Sequence, residues 1–71
     1  MQKQNNMKTI YQLVREALIE NKWTGAIVIE EYVTKRKNVK GDTVGRELRR
    51  FAEEGRIKRR LSNKGYVEYK R

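Results

Sequence analysis

Seventy-one residues and a net charge of +9 bound this chain to one small domain, because a chain this short buries only about 60% of the surface its unfolded form exposes. It contains no cysteine and no histidine, which removes disulfides, thiolate metal sites and the usual proton shuttle, so a non-enzymatic protein without cofactors is expected. No apolar run approaches the ~20 residues of a membrane span, and Met1 to Asn6 is too polar for a signal peptide; no membrane partner and a cytoplasmic location are expected.

Met1 to Lys8 (MQKQNNMK) has no periodicity and reads as a flexible N-terminal arm over 1–8, with a single domain over 9–71. Lys3 and Lys8 are placed to touch a phosphate from such an arm. Thr9 followed by Gln12 has the spacing of a capping box. Ile10, Leu13, Val14, Ala17 and Leu18 then recur at i, i+3, i+4, i+7 and i+8, which predicts an amphipathic helix ending near Asn21. Ile19 lies off its apolar stripe and Tyr11 at its edge, either as single exposed apolars or as a dimer contact.

Lys22, Trp23 and Thr24 predict a short strand or extended link, with Trp23 in the core. Thr24 reads as N-cap of a second helix whose stripe is Gly25, Val28, Ile29, Tyr32 and Val33, with Ile27 off the stripe. Its last turn, Lys35-Arg36-Lys37, sets positive charge against the negative end of the helix dipole. The same triplet is also available to a ligand. Asn38 to Gly41 then makes a turn, with Val39 tucked beneath it.

The third helix, over about 43–54, is the best punctuated: Asp42 reads as its N-cap and Gly55 as its left-handed stop. Val44, Leu48, Phe51 and Ala52 form one apolar stripe, while Thr43, Arg46 and Arg50 point away from it. For Arg49 an intrahelical pair with Glu53 is the preferred reading. After Gly55 the period falls to two: Ile57, Arg59 and Leu61 alternate with Lys58 and Arg60, the turn cluster Ser62 to Gly65 follows, and Tyr66 to Lys70 returns. This predicts a hairpin whose Ile57, Leu61, Val67 and Tyr69 pack on the helices, because an isolated two-stranded hairpin is not stable in water. The fold class is therefore α+β, mainly α: three helices followed by a C-terminal β-hairpin.

Charge is polarised along the chain. Residues 1–34 hold four basic and four acidic side chains, whereas 35–71 hold fourteen basic and five acidic ones. A cationic half beside a neutral one is the pattern of a defined surface that meets a polyanion. B-DNA's major groove, about 12 Å wide, admits a helix, and an arginine there can grip guanine N7 and O6 together. Arg46 and Arg50 are spaced to do so, Thr43 suits a phosphate near the helix N-terminus, and Glu47 is placed to accept from cytosine or to orient an arginine. Lys40 in the turn and Lys58, Arg60 and Lys64 along the hairpin complete the candidate DNA-binding set. Alternation leaves Lys58 and Arg60 free on the face opposite Ile57 and Leu61, with Lys64 at the tip.

The block DTVGRELRRFAEEGRIKRR and the arm NKGYVEYK together resemble the winged-helix (winged helix-turn-helix) DNA-binding domains of small prokaryotic, archaeal or viral transcription regulators. The resemblance covers residues 9–71. It implies sequence-selective binding of double-stranded DNA, with the third helix in the major groove and the 56–70 wing on the backbone or minor groove; because one recognition helix reads only a few base pairs, selective binding calls for a homodimer on paired half-sites. No small-molecule ligand is evident. The competing expectations are a protein-docking module through Tyr11, Ile19 and Ile27, a nonspecific DNA-coating protein, and a single-strand or RNA binder, for which only Tyr66 offers an aromatic on the basic surface.

Overall fold

The computed structural model describes residues 8–71. Lys3 and the rest of segment 1–7 lie outside the described residues. Three helices and three strands follow in the order α1 (Ile10–Ala17), β1 (Thr24–Gly25), α2 (Ala26–Thr34), α3 (Gly41–Glu53), β2 (Lys58–Leu61) and β3 (Val67–Lys70). The fold is thus a mainly helical α+β domain. No described helix is long and apolar enough to cross a membrane.

Helix α1 begins as its sequence dictates. The Thr9 hydroxyl accepts from the Gln12 amide at 3.1 Å, and the Gln12 side chain accepts from the Thr9 amide at 2.8 Å, so two otherwise orphaned donors are satisfied. Its end comes earlier than Asn21. The helix stops at Ala17, and Asn21 takes a left-handed φ of 54°, a conformation that asparagine tolerates better than most residues. Leu18 stays buried at the helix end while Ile19 turns to solvent.

The next expectation to change is the start of α2. Thr24 does not cap it; the β-branched residue is drawn into the sheet opposite Tyr69, its hydroxyl donates to the Lys22 carbonyl at 2.9 Å, and Gly25 is the N-cap. The buried stripe shifts accordingly. Ala26, Ile29 and Val33 pack inward, with Tyr32 beside them, whereas Val28 is 58% exposed. In α3 the start also moves, because Lys40 occupies the N-cap position and Asp42 lies inside the first turn without a capping bond. Asp42 still favours the positive end of the helix dipole.

The stop at Gly55 is as expected. With φ at +79°, Gly55 donates its amide to Ala52 at 3.0 Å and Arg56 donates to Phe51 at 2.9 Å, the paired bonds of a Schellman turn. Val44, Leu48 and Phe51 are buried, and Val39 packs beneath the preceding turn. Gly41 and Gly45 let α2 approach: a Cβ at these positions would lie 3.4 Å and 3.1 Å from the Glu30 carboxylate oxygens.

Helices α1, α2 and α3 enclose one core together with Ile57 and Tyr69. The sheet is antiparallel in the order β1-β3-β2, with Thr24 opposite Tyr69, Arg59 opposite Tyr69 on the other side, and Arg60 opposite Glu68. A third strand thus steadies what would be a weak hairpin. Leu61 departs from expectation, at 63% exposed. It sits at the far end of an edge strand, beyond the helices, against only its cross-strand neighbour Val67. Trp23 departs as well. Because Thr24 faces the core, the pleat sends Trp23 to the outer face of the sheet.

Candidate nucleic-acid interface

Helix α3 turns its charged side chains to solvent because Val44, Leu48 and Phe51 commit the opposite stripe to the core. Arg46 and Arg49 stand one turn apart on that outward side, both exposed, and neither has an acidic partner among the described residues. The expected pair of Arg49 with Glu53 does not form. Arg50 is the bound arginine: it donates to Glu47 three residues back and to Glu54 four residues on, the latter at 3.1 Å. The hydrogen bond it donates to Glu47, more than any other influence, holds the Arg50 guanidinium above its usual pKa. Glu47 therefore engages Arg50, as one of its two expected roles required. Thr43 is half-buried in the first turn, and Lys40 is exposed at the N-cap.

Strand β2 runs beside the C-terminal part of α3 and forms the far wall of a surface groove. Arg49, Ala52 and Glu53 line one side of that groove, and Ile57, Lys58 and Arg59 the other. Its floor is apolar and its rims carry three cations against one acid. Arg49 and Arg59 were not among the expected contact residues. The signal for Arg49 was present, since it follows Arg46 at i+3 on one helical face. Arg59 shares the alternation of Ile57 and Leu61, but β2 is an edge strand and all four of its residues are exposed.

At the hairpin tip, Ser62 organises the turn. Its carbonyl accepts from Gly65 at 2.9 Å, and its hydroxyl from the amides of Lys64 and Tyr66 at 3.2 Å and 3.0 Å. Gly65 supplies the required positive φ of 86°. Lys64 is left exposed at the apex, as expected.

The outer face of the sheet differs from expectation in two ways. Arg60 is not free: it donates to Glu68 at 2.9 Å and lays its guanidinium 4.4 Å from the Trp23 ring centroid. Trp23 is not core but half-buried under that guanidinium, with the Lys70 ammonium 5.9 Å from the same ring. Lys58 does lie exposed on this face, directly opposite Lys70.

Several other cations are tied to the scaffold. Arg36 folds back over the Tyr32 ring at 3.6 Å and donates to the Tyr32 carbonyl, so it serves the end of α2. Tyr32 in turn donates to Glu16 at 2.9 Å, and Lys8 donates to the same carboxylate. These bonds, Lys8 first and Tyr32 second, hold Glu16 below the usual carboxylate pKa. Arg56 lies over Tyr11 at 5.0 Å, and Tyr11 meets Phe51 edge-on at 5.0 Å. Tyr11 is thus packed rather than presented, unlike Ile19 and Ile27, which are 68% and 65% exposed. No protein family, curated protein or solved structure matches this chain.

Proposed function

We propose that this protein is a winged-helix double-stranded-DNA-binding protein, a small transcription regulator, that lays α3 in the major groove and sets the β2–β3 wing on the adjacent backbone or minor groove. The observation that carries this reading is the pair Arg46 and Arg49, exposed on one side of α3 without acidic partners among the described residues, beside the groove rimmed by Lys58 and Arg59. Two unanswered arginines on a short helix repel each other and gain nothing from the fold. A polyanion relieves that cost and can be read by their bidentate forks.

In this reading Arg46 reaches base edges, Arg49 and Arg59 take phosphates on either side of the groove, and Lys64 holds the backbone from the wing tip. Thr43 and Lys40 meet the backbone at the start of α3. Arg50 contributes only by exchanging Glu47 and Glu54 for DNA, so it ranks below Arg46. One short helix reads few base pairs. Selective binding therefore calls for two copies on half-sites about one helical turn, ~34 Å, apart.

The test is a salt-titrated mobility shift with random duplex. Arg46→Ala combined with Arg49→Ala should weaken binding and flatten its salt dependence. Unchanged duplex affinity in that double variant would remove the interface from α3.

A further inference from the structure

The outer face of the sheet lies on the opposite side of the pleat from Arg59 and Tyr69, and the duplex reading leaves most of it unused. It carries a planar stack. The indole of Trp23 lies half-buried beneath the Arg60 guanidinium at 4.4 Å, and Glu68 fixes that guanidinium at its edge through a 2.9 Å bond. With its charge already answered by Glu68, Arg60 acts less as a cation than as a flat, held surface, and its side chain remains 49% exposed. Tyr66 stands on the same face, 66% exposed. Lys70, beside Trp23, lies four positions further on, roughly 13 Å along the strand at ~3.3 Å per residue.

The two lysines around this stack have no acidic partner among the described residues, and the Lys70 ammonium lies 5.9 Å from the Trp23 ring. Lys58 and Lys70 face each other directly across β2 and β3, an arrangement that costs stability because like charges oppose. The one acid on these two strands, Glu68, is engaged by Arg60. A surface with two aromatic planes, a clamped guanidinium and unanswered lysines suits a chain of phosphates with unpaired bases. A duplex does not supply those bases, since its own stacking hides them.

We propose that the outer face of the β1-β3-β2 sheet binds single-stranded nucleic acid, with unpaired bases stacked on the Arg60–Trp23 layer and on Tyr66 and with phosphates drawn to Lys58 and Lys70. The site shares Lys58 with the groove, but its stacking surface of Arg60, Trp23 and Tyr66 is separate from Arg46 and Arg49, so base stacking there is tested apart from the duplex reading. Bound at both, one molecule would hold a duplex and an unpaired strand together.

Trp23 is the only tryptophan, so its fluorescence reports on this face directly. The full chain is titrated with a short oligothymidylate, with an abasic oligonucleotide of equal length and charge, and with a blunt duplex. Oligothymidylate should quench or shift Trp23 emission saturably, and the abasic strand should bind about tenfold more weakly, as the loss of a stacked base requires. Tyr66→Ala, a surface change whose fold is checked by circular dichroism, should weaken oligothymidylate about tenfold, leaving the abasic strand and the duplex mobility shift unchanged. Arg46→Ala should leave oligothymidylate binding intact. Equal affinity for the two single strands, equal quenching by duplex, or loss of oligothymidylate binding in Arg46→Ala rather than Tyr66→Ala would each overturn the proposal.

Discussion

Glu30 shows how one side chain couples acidity to packing. Burial, and then the charge of Asp42, raise its carboxyl above the ordinary value of 4.5. The folded chain therefore prefers this group protonated, and its ionisation costs stability above the raised pKa, a cost that fades as pH falls toward 4.5. Glu30→Gln keeps the shape and removes the charge. It should raise the melting temperature at neutral pH, by an amount that shrinks on acidification; a lower melting temperature at neutral pH would refute the assignment. Glu16 has the opposite sign. Lys8 and Tyr32 depress its pKa, so it stabilises the fold above the ordinary carboxylate value and loses that contribution as pH falls through its lowered one. Glu16→Gln should lower the neutral-pH melting temperature and matter little in acid. At this scale the sequence was informative where partners are local. Glu47 and Glu54 sit at the spacings that pair with Arg50, and the spacing of Glu47 made that contact legible as one of its two expected roles. The position of Trp23 was not legible at all, because its face is set by the pairing of Thr24 with Tyr69 far along the chain.

Helix α3 meets α2 through glycine. Alanine at position 45 would gain the ~0.5–1 kcal/mol by which it exceeds glycine in a helix interior, but its Cβ would stand 3.1 Å from a Glu30 oxygen. The carboxylate must move to admit it. Gly45→Ala should therefore be nearly neutral in the native background and should stabilise by the full ~0.5–1 kcal/mol once Glu30 is alanine. Chemical denaturation of the four proteins in that cycle measures the coupling, and additivity would show that the glycine serves something other than Glu30. Leu48→Ala should cost ~2–5 kcal/mol, since it empties the centre of the α3 stripe. That is a large share of the stability of so small a domain. Element identity was legible from periodicity, and two boundaries from their chemistry: the Thr9–Gln12 box and the Gly55 stop. The other ends moved because tertiary pairing outweighed local signals. Thr24 joined a strand, Asn21 turned the chain, and Leu61 fell beyond the helices that were to cover it.

Over the whole molecule, the polarised charge of the sequence resolves into cations with partners and cations without. Arg36, Arg50, Arg56 and Arg60 are held by the fold. Arg46, Arg49, Lys58, Arg59 and Lys64 have no acidic partner among the described residues and lie on α3, the groove and the β2–β3 hairpin. The sequence located the charge but could not separate these two sets, because the separation depends on which acids the fold brings near. If the second set, together with Lys40, neutralises roughly four to six phosphates of a duplex, the logarithm of affinity should fall with the logarithm of salt at a slope of about −4 to −5. A slope near zero would end the DNA reading. Within that set, reading and holding are separable. Arg46→Ala should cost ~1–3 kcal/mol on a preferred site and little on random duplex, because a lost base contact removes discrimination. Lys64→Ala should weaken every sequence alike and reduce the slope by about one contact, as expected if the hairpin tip holds only backbone. Neither change touches the core, so both proteins should melt as the parent does. Were the two variants indistinguishable across sequences, α3 would be acting as a general cation and the protein would coat DNA without reading it.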